Sequence, residues 1–287
     1  METKKILTPA KINLYLEVID KRKDGYHNIY SLIDLIGLYD EIEVHPSKNT
    51  KVKFYGKWKI PENNTVIKTL DILKTKFSFK SFPFFIKINK KIPPGSGLGG
   101  ASSDAAAILK VINKLSNLNL DEKTLIDIGT SIGADVPLFL KGKRCIIRGK
   151  GEKVKPIINL NKKFKYIIYV PNFEISTKII YEKLKSFNYK NLTSAKADIK
   201  ILLNFMYNND IENIEKKIFN RLEEVSLSFQ EEIKKTKIFL EKFYNKKFFL
   251  TGTGGALYSI FSKNTIINNF LPVNKLKNWQ KIITDSI

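Results

Sequence analysis

The sequence predicts an α+β protein built as two domains, on three observations. At 287 residues with 43% hydrophobic content, the chain is long enough for two ordinary domains and a substantial core. Stretches of strand period and of helix period are mixed outside the strict βαβα order that a doubly wound sheet requires. Beyond about residue 172 the composition shifts to lysine- and glutamate-rich segments of helical period. A boundary near residue 155 accommodates that shift and divides the chain into 1–155 and 156–287.

The elements follow in order. From Thr8 to Val18 the pattern alternates, with Ile12, Leu14, Leu16 and Val18 on one face and Lys11, Asn13, Tyr15 and Glu17 on the other, which predicts a half-buried strand. Asp24-Gly25 is a turn signal. Strands are expected over 40–45, 51–55 and 82–88, and a helix over 64–75. Ile108, Val111, Ile112 and Leu115 recur at helical spacing, with Ser102, Ser103 and Asp104 suited to that helix's first turn. Asp121 reads as the N-cap of a further helix carrying Leu125, Ile128 and Ile132 as its apolar stripe, with Gly133 as its stop. Strands over 143–148 and 164–170 precede helices over 174–186, 196–207, 210–224 and 228–244. The stretch "FFLTGTGGALYSIF", 248–261, reads as strand, turn and strand, with Gly252, Gly254 and Gly255 in the turn.

Chemistry concentrates in "IPPGSGLGGASSDAAAIL", 92–109, where glycines at 95, 97, 99 and 100 run directly into a helix. Glycine permits positive φ and close approach at a cost in chain entropy, and free N–H groups at a helix start carry partial positive charge. Loop and helix start together form a cradle of donors that suits a phosphate, although a glycine-rich surface turn that binds nothing has the same composition. A P-loop is excluded because Gly100 is followed by Ala101 and Ser102, with no lysine to reach the terminal phosphates. Gly95, Gly97 and Gly100 satisfy G-x-G-x-x-G, but "NKKIPP" separates them from the preceding strand "FFIKI", which a dinucleotide-binding loop does not allow. A protein-kinase loop needs valine where Ser102 stands, and neither H-R-D nor D-F-G follows.

Composition removes other classes. No apolar run approaches the length of a membrane span, and Lys11 and Asn13 interrupt what would be a signal-peptide core, so no membrane association and a cytoplasmic location are expected. Cys145 is the single cysteine, and His27 and His45 are the only histidines, which leaves neither a disulfide nor a zinc cluster. The net charge of +22 would suit nucleic acid, yet of 50 basic residues only Arg22, Arg144, Arg148 and Arg221 are arginine. Scattered lysines describe solvated faces, so no nucleic-acid partner is expected, and the positive field would attract an anionic small molecule.

Three segments, "PAKINLYLEV", "PPGSGLGGASSDAA" and "LTGTGGALYSIF", resemble in order and separation the three motifs of the GHMP kinases, and the match spans almost the whole chain. The resemblance implies an N-terminal domain like the second domain of ribosomal S5 and a ferredoxin-like C-terminal domain. "DGYHNI" and "GADVPLFL" are similar to the branch of that family that phosphorylates the 2-hydroxyl of a cytidyl diphosphate sugar alcohol on the non-mevalonate route to isoprenoid precursors, and "FNRLEEV", 219–225, also fits it. A GHMP kinase acting on a different small alcohol is the alternative.

The resemblance implies roles, residue by residue. ATP is the co-substrate and brings Mg²⁺, with no protein metal ligand assigned. Its triphosphate would be wrapped by Pro93, Pro94, Gly95 and Ser96, then Gly97, Leu98 and Gly99, then Gly100, Ala101, Ser102 and Ser103, with Ser102 or Ser103 as a phosphate or Mg²⁺ contact and Asn64 or Lys90 near the adenine. Asp135 would accept the substrate hydroxyl's proton, and Lys11 would steady that carboxylate and the developing charge. Asn13 would border the substrate, His27 would bond the cytosine edge, and Tyr26 would offer a ring face. Tyr181 would supply the second aromatic, where phenylalanine is commoner, although on the helix pattern alone it fits a core position equally well. Gly255-Ala256-Leu257 departs from the cysteine or serine and valine usual in the third motif, which weakens side-chain inference there but not the expectation of close backbone approach to the cleft opposite the phosphate loop. Both a monomer and a homodimer are compatible with the sequence.

Overall fold

The computed structural model describes residues 3–77, 83–173, 175, 177–184, 191–267 and 276–287. The chain opens with two long antiparallel strands, β1 (Lys4–Lys21) and β2 (His27–Pro46), joined at the Asp24-Gly25 turn, where Gly25 has φ +84°. β3 (Lys51–Tyr55), α1 (Thr65–Phe77) and β4 (Phe84–Asn89) follow, then α2 (Gly100–Leu115), α3 (Glu122–Ile132), α4 (Val136–Lys141), β5 (Cys145–Gly149) and β6 (Lys153–Pro156). The strand order β3-β4-β2-β1 is extended by β5, which pairs with β2 and β6. α1 to α4 pack on one face of this sheet, burying Leu70, Ile108, Ile112 and Leu138 against Ile33, Leu35, Ile42 and Ile86.

The second part runs β7 (Phe164–Pro171), α5 (Thr177–Lys183), α6 (Leu192–Tyr207), α7 (Ile211–Lys217), β8 (Phe219–Asn220), α8 (Arg221–Phe229), α9 (Glu231–Tyr244), β9 (Phe249–Leu250), β10 (Leu257–Ser262) and β11 (Trp279–Asp285). Its antiparallel sheet has the order β11-β7-β10-β9. Residues 174, 176, 185 and 186 of the helix expected over 174–186, and residue 82 of the strand expected over 82–88, lie outside the described residues.

Two expectations are corrected. β1 is not half-buried: Lys11, Asn13, Tyr15 and Glu17 are buried like Ile12 and Leu14, because Thr251, Asp198 and Arg221 of the second part bond Asn13, Tyr15 and Glu17, while Lys11 packs against Gly99. A register shift between Asn13 and Tyr15 also interrupts the alternation, so that Leu14 and Tyr15 enter the same cluster with Tyr166, Ile168 and Tyr258. The single helix expected over 210–224 is broken at Phe219–Asn220, which pairs in parallel with Tyr15 and Leu16 of β1. There the Asn220 side chain accepts from Leu222 N and donates to two backbone carbonyls, so tertiary hydrogen bonds override helix propensity. Ser102, Ser103 and Asp104 do lie at the start of α2, with Gly99 at the N-cap position in a left-handed conformation with φ +77°, and Asp104 is buried there and ion-paired with Lys90. The strand expected over 40–45 begins as early as His27, and α4, β6 and β11 are short or weakly patterned elements that periodicity does not reveal.

Candidate active site

The glycine loop is shaped by three left-handed residues, Gly95, Gly97 and Gly99, with φ of +65°, +82° and +77°. Gly100 is helical, and its lack of a side chain answers a different need: a Cβ there would lie 2.8 Å from Ile92 Cγ2 and 3.2 Å from Asp40 Oδ2. Among the described residues, no oxygen accepts from the N–H groups of Gly97, Gly99, Gly100 or Ala101. Those donors, at the start of α2, face a cavity of about 400 Å³ lined also by Lys11, Asn13 and Asp135. Ser102 lines this cavity, whereas Leu98 and Ser103 are turned into the interior, so neither side chain is placed to touch a bound triphosphate.

The last glycine turn packs directly on this loop and does not stand across the cleft from it. A Cβ on Gly254 would fall 2.1 Å from the Ser96 carbonyl carbon, one on Gly97 would fall 2.2 Å from Thr251 O, and Ala256 N donates to Ser96 O at 3.2 Å. Only Gly252 and Thr253 of the turn reach the cavity wall.

Lys11 comes from β1 and Asp135 from the N-cap position of α4, where its carboxylate makes no capping hydrogen bond. The Lys11 ammonium lies 3.6 Å from Asp135 Oδ2 and donates to Asn13 Oδ1 at 2.7 Å. Lys11 is almost fully buried, while the Asp135 side chain keeps 32% of its exposure, so the carboxylate is the member of the pair that an entering molecule meets. A hydroxyl seated between Asp135 and the loop would therefore have an acceptor on one side and a cationic donor beside it.

The other expected residues gather at a contiguous cavity of about 620 Å³, which shares Ile29, Ala134, Lys150 and Tyr181 with the first. Tyr26 and His27 line it from the end of the first hairpin turn and Tyr181 from α5. Tyr181 stacks on the His27 ring with centroids 5.1 Å apart, while Tyr26 projects outward at 59% exposure. Burial, aided by nearby Lys21, pushes the His27 imidazole below its ordinary pKa and favours the neutral ring. Burial likewise raises the Tyr181 phenol, with Asp135 adding to the shift.

A third cavity, of about 360 Å³, adjoins the loop at Pro94 and Ala101 and is walled by Asn64 and Lys90. Asn64 accepts from Val66 N and Ile67 N at the start of α1, and Lys90 is held between Asp40 and Asp104. Asp40 also accepts from Lys91 N and Ile92 N, tying the loop's entry to the sheet. Burial raises the Asp104 carboxyl to about 6 against the pull of Lys90.

Two site residues escaped the sequence reading. Lys150 lines both of the first two cavities, with its ammonium 4.9 Å from the Tyr26 ring centroid. It is positioned by Gly149 and Gly151, whose positive φ and, for Gly151, close approach to Ala134 O make "RGKG" a possible signal. Asn220 donates to Leu250 O at 2.9 Å and Gly252 O at 2.8 Å, bracing the last glycine turn from a segment whose only sequence sign was "FNRLEEV". Among the described residues no group of three or more His, Cys, Asp or Glu could hold a metal ion, and no helix is long and apolar enough to cross a membrane.

Residues 64–143 match the GHMP kinases N terminal domain, the class of protein that two sheets joined over a glycine loop of this kind define. Relatives named 4-diphosphocytidyl-2-C-methyl-D-erythritol kinase are 36% identical over 256 residues in Carboxydothermus hydrogenoformans, covering 89% of this chain and 87% of the relative, and 33% identical over 292 residues in Acetivibrio thermocellus, covering 100% of both. The chain belongs to the 4-diphosphocytidyl-2-C-methyl-D-erythritol kinase family. In fold it is similar to a solved 4-(cytidine 5'-diphospho)-2C-methyl-D-erythritol kinase, with a TM-score of 0.76 at 24% identity over 99% of each chain. It is also similar to homoserine kinase from Cytophaga hutchinsonii, with a TM-score of 0.68 at 17% identity over 100% of this chain and 95% of that one.

Proposed function

We propose that this chain transfers the γ-phosphate of ATP to the 2-hydroxyl of 4-diphosphocytidyl-2-C-methyl-D-erythritol, giving the 2-phosphate and ADP. The observation that carries this reading is the meeting of a donor-lined loop, a buried lysine and a partly exposed aspartate at one cavity. Family membership supplies the substrate. The reading includes a division at residue 155, with the ATP and catalytic groups on 1–155 and a substrate-side domain on 156–287.

Phosphoryl transfer asks for positioning and for stabilisation of charge on the transferred group. The loop N–H groups of Gly97, Gly99, Gly100 and Ala101 cradle the phosphates, and the cavity beyond Pro94 receives the adenine near Asn64 and Lys90. Asp135 accepts the proton of the attacking hydroxyl, and the Lys11 ammonium beside it steadies that carboxylate and offsets the charge gathering on the γ-phosphate oxygens. Tyr26 and Tyr181 hold the cytosine and His27 reads its edge, while Asn13 borders the sugar alcohol. With no carboxylate cage among the described residues, a Mg²⁺ ion would arrive with the triphosphate, with Ser102 as the hydroxyl at that cavity. When bound, it would neutralise charge on the phosphate oxygens.

ADP release measured with Mg-ATP and, in turn, the cytidyl substrate, mevalonate and homoserine tests the assignment. Turnover with the cytidyl substrate alone is the expected result. Turnover only with mevalonate or homoserine overturns the substrate, and none with any alcohol overturns the kinase.

A further inference from the structure

Lys11 has a long flexible stem and a mobile point charge, yet the reading above, on which this inference rests, needs its ammonium at one place. Attraction to Asp135 does not fix that place, since the 3.6 Å separation is longer than a charge-assisted hydrogen bond. The short contact is to Asn13 Oδ1, at 2.7 Å. A carboxamide, however, presents an acceptor on one side and a donor on the other, and turned over it would aim its NH₂ at the ammonium and repel it.

The turn is set by two hydroxyls. Thr251 Oγ1 accepts from Asn13 N at 3.1 Å, and its own proton goes to Asn13 Oδ1 at 3.2 Å. Across the amide, Ser31 donates to Tyr15 O at 2.5 Å and so meets Asn13 Nδ2 as an acceptor, at 3.0 Å. Thr251 is fully buried, its N–H donates to Ala256 O, and the carbonyls on either side of it, of Leu250 and Gly252, are held by Asn220. The hydroxyl is thus anchored from the far part of the chain, 238 residues from the asparagine that it orients.

We propose that Thr251 is a positioning residue for phosphoryl transfer, its hydroxyl acting through the Asn13 carboxamide to hold the Lys11 ammonium beside Asp135. Packing and hydroxyl roles separate cleanly here. Valine keeps the shape of threonine and loses the hydroxyl, whereas serine keeps the hydroxyl and loses a methyl.

The experiment measures kcat and both KM values for Thr251→Val and Thr251→Ser with Mg-ATP and the cytidyl substrate. Thr251→Val is expected to lose about 10- to 100-fold in kcat, the scale of a small misplacement of a catalytic group, with both KM values within about threefold. Thr251→Ser is expected to stay within about threefold throughout, since it preserves the orienting bond. Should Thr251→Val not fold, Ser31→Ala decides, because it removes the opposite orienting contact without touching the glycine turn, and a kcat loss in the same direction is expected. Unchanged kcat in Thr251→Val, or in Ser31→Ala where that variant decides, overturns the role, as does a serine variant as slow as the valine one. A wild-type chain active only on another alcohol overturns the substrate assignment, and the same comparison is then read with that alcohol. A wild-type chain active on none overturns the kinase reading and this role together.

Discussion

Asp135 occupies a helix N-cap position without capping, and that unused carboxylate is what makes a base assignment testable. Asp135→Asn keeps the shape and a hydrogen-bond acceptor but removes the base, so kcat is expected to fall by about 10²-fold or more while ATP binding, followed by calorimetry, changes little. A variant retaining a tenth of the rate would place the proton elsewhere. His27 offers a second test, through pH. Burial lowers its folded pKa, so the unfolded chain binds a proton that the folded chain refuses. Its contribution is present in full above the unfolded value of about 6.5 and is lost as pH falls through the lower folded value. The urea midpoint of His27→Asn is therefore expected to fall less steeply than that of wild type between about pH 7 and 5.

At the scale of elements, the two glycine turns are braced against each other, and glycine is required at Gly97 for two separate reasons, positive φ and space. Gly25 has nearly the same φ, +84° against +82° at Gly97, but nothing lies within 4 Å of a Cβ built on it. Gly25→Ala is expected to cost about 1–2 kcal/mol through φ alone. Gly97→Ala adds a collision with Thr251 O, worth about 1–3 kcal/mol more, so chemical denaturation separates the two variants. Equal losses would show that the contact relaxes freely. Much of this was legible in the sequence: the glycine loop, the helix after it, the Asp121 cap and the strand-turn-strand over 248–261 all follow local rules of period, capping and turn chemistry. What local rules do not carry is partnership. Nothing in "KINLYLE" says that its polar face will be buried, because the residues that bury it, Thr251, Tyr258 and Arg221, lie far along the chain. For the same reason "FNRLEEV" reads as helix until Asn220 finds the carbonyls of the last turn. Lys11 and Asp135 were placed together by family resemblance, since their separation in sequence gives no physical reason for them to meet.

In the molecule as a whole, the two parts meet through buried charge. Asp34, fully inaccessible, receives Arg144 Nε and Nη2 at 2.7 and 2.9 Å and Tyr166 OH at 2.7 Å, while Arg144 also donates to the Leu160 and Lys162 carbonyls. Glu17 is bound in the same manner by Arg221. Removing one member strands the other: Arg144→Met is expected to cost about 3–5 kcal/mol, and adding Asp34→Asn to recover part of it, as read from urea unfolding. No recovery in the double variant would mean that packing, and not the stranded charge, dominates. The bracing of Gly97 by Thr251 and of Ser96 by Gly254 has a consequence for synthesis. A ribosome delivers the loop long before it delivers the segment that shapes the loop's underside. Until residues 251–256 have left the exit tunnel, the nascent polypeptide therefore carries a glycine loop whose underside has nothing to lean on.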